Sequence, residues 1–132
     1  MTRPTLRISS GAPWEDKVGY RRAVRVGDQI WVAGTVAVDG GGKPFAPDDA
    51  GAQTARCIEI IAEALKAAGA DLSNVVRTRV FVTDMSSQTQ ATVGAAHLAA
   101  FKDHPPASSM IGVAALADPA FIVEIEADAV IA

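Results

Sequence analysis

Segment 121–131 constrains the fold more than any other part of this chain. Val123, Ile125, Ala127, Ala129 and Ile131 alternate with Ile122, Glu124, Glu126, Asp128 and Val130. A period of two belongs to a β-strand, so this stretch is a strand with an apolar side and an acidic side. A slip of one residue would drive its carboxylates into the core, which ties the strand tightly to one register. The acidic side has two readings at this level. It is a solvent-facing stripe on an antiparallel sheet. Alternatively, one of its acids sits in a partly buried cleft, where desolvation raises its pKa and suits it to proton transfer. Spacing alone does not choose among the acids.

Two further segments carry the three- and four-residue spacing of amphipathic helices. In 49–68 the stripe is Thr54, Cys57, Ile58, Ile61, Leu65 and Ala68, with Arg56, Glu59, Glu63 and Lys66 opposite. Pro47-Asp48-Asp49 supplies N-cap candidates, and Gly69 is the expected stop. In 88–102 the stripe is Val93, His97, Ala100 and Phe101, and His104-Pro105-Pro106 ends it because proline cannot continue the ladder.

Strands are expected at 21–26 and 29–34 around Gly27-Asp28, which reads as a hairpin turn. Another is expected at 75–83, with Val76, Thr78, Val80 and Val82 on one side and Val75, Arg77, Arg79 and Phe81 on the other. Short strands at 6–8 and 109–113 complete the order β-β-β-α-β-α-β-β. Both helices then cover one face of the sheet. The other face keeps apolar and small residues, so it is expected to pack on another subunit.

At 132 residues the chain fits one domain, 1–132. Aromatics are only 5% of it, so Ala, Val and Ile must supply most of the core. The net charge is −3 with Arg and Lys scattered, so nucleic acid is not an expected partner. No apolar run approaches the roughly 20 residues that span a bilayer, and Met1-Thr2-Arg3-Pro4 lacks the apolar stretch of a secretory signal. A single cysteine, Cys57, excludes an internal disulfide and fits a reducing compartment. The expectation is a cytoplasmic protein with a small-molecule ligand and no membrane partner.

The common catalytic motifs are absent. There is no Gly-x-Ser-x-Gly elbow, and Gly40-Gly41-Gly42 lacks the Lys-Ser/Thr of a phosphate loop. His97 lies on an apolar helix stripe with no second ligand at metal spacing, which reads as a packed histidine, so no metal and no cofactor are expected. Cys57 lies on a buried stripe and reads as structural. Ser108-Ser109 follow prolines, the usual setting of turn chemistry.

Several stretches together resemble the RidA/YjgF family of small trimeric proteins. They are Gly19-Tyr20-Arg21-Arg22-Ala23-Val24-Arg25-Val26-Gly27-Asp28, Trp31-Val32-Ala33-Gly34, Gln53-Thr54 and Ala67-Ala68-Gly69-Ala70-Asp71-Leu72. They continue with Val75-Val76-Arg77-Thr78-Arg79-Val80-Phe81-Val82-Thr83-Asp84-Met85, Pro106-Ala107-Ser108-Ser109 and Val123-Glu124-Ile125-Glu126-Ala127-Asp128-Ala129-Val130. The resemblance runs in order from about Ala12 onward. It implies an α/β (α+β) chorismate-mutase-like fold, a mixed sheet with two helices on one face. It also implies a homotrimer whose sheets form a central barrel, with small-molecule clefts at the subunit junctions. The family activity it implies is hydrolysis of reactive enamines or imines to a 2-keto acid and ammonia.

The family's site carries over in part. Glu124 matches the acid that positions or activates the attacking water, and Tyr20 matches the site tyrosine, with Val18-Gly19 where the family has Gly-Pro. The arginine that clamps the substrate carboxylate is replaced by Ser108, a hydroxyl-bearing residue of the strand is replaced by Ala33, and a cysteine is replaced by Met110. Such a chain falls in a divergent subgroup without the clamp. A guanidinium grips a carboxylate with two charge-assisted hydrogen bonds, which a serine cannot reproduce. Ser108, Ser109, Met110 and Ala33 are the expected substrate-binding positions, with backbone amides near Ser108–Met110 and the Tyr20 hydroxyl fixing the substrate. Arg21 or Arg22 is a substitute cation, against the reading of both as surface strand arginines, and Trp14 is a wall of the cleft or edge packing. Three functions follow: a divergent imine or enamine hydrolase, a non-catalytic metabolite-binding trimer, and a ribonuclease or translation inhibitor, which the acidic balance disfavours.

Overall fold

A computed structural model describes residues 4–132. The reading of the first residues as lacking a secretory signal therefore falls, for residues 1–3, outside the described residues. The strands are β1 (Thr5–Ile8), β2 (Ala23–Val26), β3 (Gln29–Val36), β4 (Val75–Val82), β5 (Ala107–Gly112) and β6 (Val123–Val130). The helices are α1 (Pro13–Val18), α2 (Ala50–Ala67) and α3 (Ser87–Phe101), and a 3-10 turn at Leu72–Asn74 leads into β4. All six strands form one sheet in the order β1-β2-β3-β6-β4-β5. Every pairing is antiparallel except β4 with β5, which α3 connects as a crossover. The mixed α+β architecture is the expected one.

The acidic strand takes an interior place in the sheet, between β3 and β4, with its apolar side buried as its alternation demands. Val123, Ile125, Ala127 and Ala129 are buried with Ile30, Val32, Val80 and Val82 against Cys57, Ile58, Ile61 and Leu65 of α2 and Val93 and Phe101 of α3. Each fully buried Val, Leu, Ile or Phe contributes about 1.5–3 kcal/mol relative to exposure, so this layer dominates the fold. Helix α2 begins at Asp49, whose carboxylate accepts from Ala52 N–H. It ends under Arg25, whose guanidinium donates to Ala68 O at 2.7 Å and places a cation at the negative end of the helix. Gly69, at φ +88°, turns the chain away in the left-handed conformation that glycine tolerates. Buried Gln53 then ties α2 to the entry of β6, donating to Ala120 O and accepting from Ile122 N–H, both at 2.8 Å.

The structure corrects the expected element order in three places. The resemblance and the periodicity gave two helices, but Pro13–Val18 forms a third, with Pro13 in its first turn and Gly19 in the left-handed conformation at its end. The first long β4 stretch also departs from simple alternation. A bulge between Val75 and Arg77 buries Val75 and leaves Val76 48% exposed, which reverses the faces assigned to these two residues. Strand bounds differ as well: Arg21 and Arg22 precede β2, β3 continues to Val36, and β5 begins at Ala107 rather than 109.

Candidate functional site

Glu124 lies on the face of the sheet that α2 and α3 leave open. Its neighbours across the sheet are Val36 of β3 and Phe81 of β4. Strand β3 carries an extra residue between Val32 and Thr35, a bulge at Ala33 and Gly34 that re-aims the backbone beside β6. The Glu124 carboxyl rests on this bulge. A Cβ added at Gly34 would stand 2.7 Å from Glu124 Oε2, so the glycine is what lets the carboxyl approach the backbone. Burial pushes the Glu124 carboxyl above its ordinary value of 4.5, Arg22 opposes that shift, and Glu126 adds to it. A half-buried acid with a raised pKa is suited to hold or take a proton near neutral pH.

Arg22 is set beside it rather than on the outer surface. One of its terminal nitrogens donates to Gly34 O at 2.9 Å, the other to Thr35 Oγ1 at 3.3 Å, and its guanidinium carbon lies 5.8 Å from the Tyr20 ring centroid. Helix α1 organises the approach to both residues. The Glu15 carbonyl accepts from Gly19 N–H and Tyr20 N–H, which closes the helix and delivers Tyr20 onto the sheet. The Glu15 side chain is only 1% exposed and accepts from the Ser10 backbone and hydroxyl. Burial would raise its pKa, but the Ser10 and Ser9 hydrogen bonds and the Arg22 charge outweigh it and hold the carboxyl below its ordinary range. Among the described residues, two buried side-chain polar atoms lack a hydrogen-bond partner, and they are Glu15 Oε1 and Arg22 Nε. Both belong to this corner, and nothing in the sequence singled out Glu15.

A hollow of about 820 Å³ opens on the same face, lined by Tyr20, Ala33, Trp31, Arg79, Glu126 and Asp128 among others. Glu126 and Asp128, the other two acids of β6, are held by Arg79 at 3.3 and 3.4 Å. Glu124 has no such ion pair among the described residues and lies along β6 beyond the lining of this hollow. The structure thus separates the acids by partner, a distinction that spacing could not make. Trp14 stands apart, 62% exposed with Lys17 Nζ 5.3 Å from its ring centroid.

The remaining candidates lie on β5, the edge strand, with β4 between them and β6. Register pairs Ser108 with Thr78 and Met110 with Val80, and Thr78 and Val80 are both buried under the helices. Ser108 and Met110 therefore belong to the helix side, whereas Ser109, paired with Arg79, shares the open face. Within one chain, Tyr20, Arg22, Ala33, Gly34 and Glu124 are gathered, and Ser108–Met110 form a separate group. Cys57 is fully buried, and burial pushes its thiol up to about 12, with the Glu124 charge acting in the same direction. Among the described residues, no three His, Cys, Asp or Glu side chains are arranged to hold a metal, and no helix is long and apolar enough to cross a membrane.

This arrangement of sheet and helices defines a class of small α+β proteins with known relatives. Residues 12–131 match the family model described as Endoribonuclease L-PSP. A crystal structure of a YjgF/YER057c/UK114 family member from Mycobacterium tuberculosis is 43% identical, with a TM-score of 0.87 over 97% of this chain and 100% of that one. The Escherichia coli YjgF gene product is 30% identical, with a TM-score of 0.79 over 98% of each chain. A mouse protein named 2-iminobutanoate/2-iminopropanoate deaminase is 35% identical over 111 residues, 84% of this chain and 80% of that protein. The chain belongs to the RidA/YjgF (L-PSP) family.

Proposed function

We propose that this protein is a hydrolase of the C=N bond of imines, including those formed from enamines by tautomerisation, with Glu124 as the residue that moves the proton. The observation that carries the reading is the seat of Glu124, half-buried on the Gly34 bulge with Arg22 beside it and its pKa raised. The similarity to the mouse imine deaminase supports the substrate class. In the reaction, water attacks the C=N carbon of the protonated imine while the Glu124 carboxylate accepts one of its protons, giving a neutral carbinolamine. Glu124 returns that proton to nitrogen, then takes the hydroxyl proton as the C–N bond breaks to leave a carbonyl compound, and ammonia carries that last proton away as ammonium. Tyr20 and the backbone amides of Ser108–Met110 would hold the substrate, Ala33 would leave room for it, and Trp14 would wall the approach.

The two groups of candidate residues support a cleft shared between copies, within a cytoplasmic homotrimer of one-domain subunits whose open sheet faces form a central barrel. With Ser108 in place of the family's arginine, the chain represents a divergent subgroup that grips its substrate differently. Arg22 is a cation whose charge acts on Glu124, but two of its donors already serve Gly34 and Thr35 of β3. Those committed donors favour a second reading, a non-catalytic trimer that binds a metabolite. The net charge of −3 argues against RNA as the substrate.

Ammonia release from imines made in situ separates the two readings. The hydrolase reading expects turnover in the wild type and a loss of about 10²–10⁴-fold in Glu124→Gln. Equal turnover in both proteins sinks the role of Glu124, and a ligand-induced rise in Tm without turnover favours the binding reading. Ser108→Arg is expected to gain activity on 2-imino acids.

A further inference from the structure

Ser108 is the outer end of a hydrogen-bonded chain that reaches beneath α3. Thr78 Oγ1 lies 2.8 Å from Ser108 Oγ and 2.9 Å from His97 Nε2. Thr78 is fully buried, Ser108 is exposed, and His97 is partly buried with its ring centroid 4.6 Å from that of Phe101. A path of side chains therefore crosses from the solvent at the sheet edge, through a buried hydroxyl, to an imidazole.

The proton count of this path restricts what Ser108 can offer. A threonine hydroxyl has one proton and two lone pairs, and each of its partners here can donate or accept. A Thr78 that accepted from both neighbours would leave its own buried proton unused by either of them, so with that proton bonded inside the chain it runs in one of two directions. In the first, His97 Nε2–H donates to Thr78, Thr78 donates to Ser108, and the Ser108 proton points outward. In the second, Ser108 donates to Thr78, Thr78 donates to a bare Nε2, and Ser108 turns lone pairs outward. A doubly protonated imidazole has no bare nitrogen, so it permits only the first direction.

We infer that His97 and Thr78 are positioning residues that set the hydrogen-bonding polarity of Ser108 toward a ligand. With His97 protonated, Ser108 is held as a donor and matches a carbonyl or carboxylate oxygen. With His97 neutral, Ser108 is free to accept and matches the N–H of an imine or enamine. This rests on the proposal that Ser108 lines the ligand cleft. Burial lowers the His97 pKa, and no charged side chain from α2, β4 or β5 contributes to the shift. The shift favours the neutral ring, and in that state position 108 can take a nitrogen-bearing group where an arginine would require a carboxylate.

Titration of the His97 ring by NMR tests the coupling without any turnover. Ser108→Ala is expected to move the His97 midpoint by about half a pH unit, the size of one neutral hydrogen bond, although Ser108 does not touch the ring. Acetate serves as the oxygen-acceptor probe, followed at the Ser109 amide. Its effect in the wild type is expected to step up as pH falls through the His97 midpoint. In Thr78→Val the ring still titrates, but the step disappears. An unchanged midpoint in Ser108→Ala, a flat acetate response in the wild type, or a step that survives in Thr78→Val each overturns the inference. Failure to hydrolyse any imine would sink the hydrolase reading while leaving these three outcomes decisive.

Discussion

Replacing Gly34 by alanine would place a Cβ 2.7 Å from Glu124 Oε2 and 3.0 Å from its Cδ. Comfortable contact between heavy atoms needs about 3.5 Å, so the carboxyl must withdraw by roughly 0.5–1 Å. Gly34 is not among the glycines with positive φ, so the new methyl group brings no backbone strain. A displaced Glu124 rotamer costs about 0.5–1.5 kcal/mol. Reduced freedom of the unfolded chain returns about 0.4–1 kcal/mol. The net change in stability is therefore within about 1 kcal/mol. Turnover responds differently, because a 1 Å misplacement of a reacting group costs on the order of 10²-fold, or about 2.7 kcal/mol of barrier. Urea unfolding and ammonia release, measured on the same preparation, are expected to diverge in this way. An alanine variant with wild-type turnover would refute a positioned Glu124, and a stability loss above about 3 kcal/mol would mean that Gly34 serves the fold instead.

Three other outcomes follow from the same geometry. The folded-state pKa of Glu124 lies above 4.5, so the native protein holds the extra proton and wild-type stability falls as pH rises from about 4.5 through the raised value. Glu124→Gln should lack that decline and gain on the wild type across the window, as read from urea midpoints at several pH values. Glu15 is shifted the other way: its contribution is present above 4.5 and lost as pH falls through its lowered value. Glu15→Ala is expected to cost about 2–3 kcal/mol near neutral pH by stranding the Ser10 donors, with the gap closing in acid; an equal gap at every pH would contradict the assignment. Native Cys57, fully buried with its thiol pushed up to about 12, should resist thiol reagents at pH 8 until urea unfolds the chain, and rapid labelling of the native protein would contradict its placement.

The core was legible because it is periodic. The alternation of 121–131 located the central strand and the side it buries, and the spacing of Cys57, Ile58, Ile61 and Leu65 located α2 to within a residue at each end. Bulges leave no such trace. Neither the extra residue at Ala33–Gly34 nor the one at Val76 changes composition, yet the first seats Glu124 and the second reverses two side chains. Helix α1 is too short to show a stripe; its marks are Pro13 at the start, Glu15-Asp16 in the first turn and Gly19 at the end. Glu15 therefore carries no sequence signal, although it is among the most deeply buried acids of the described residues. His97 reads from its stripe as a packed residue, and its ring does pack on Phe101, but its bond to Thr78 depends on a crossover that sequence spacing does not reveal.

The position of β6 also has a consequence for how the chain is made. Among the described residues it is the last strand in sequence but lies between β3 and β4, and no other strand there joins the β1-β2-β3 ribbon to the β4-β5 pair. While a ribosome is still adding residues before Val123, the edges of β3 and β4 that pair with β6 stand open, even though α2 and α3 have already been made. Such edges are templates for pairing with a neighbouring nascent chain. The sheet can close only after synthesis passes β6, so folding is late and non-local, and the acids of β6 are the charges that arrive with the strand that seals it.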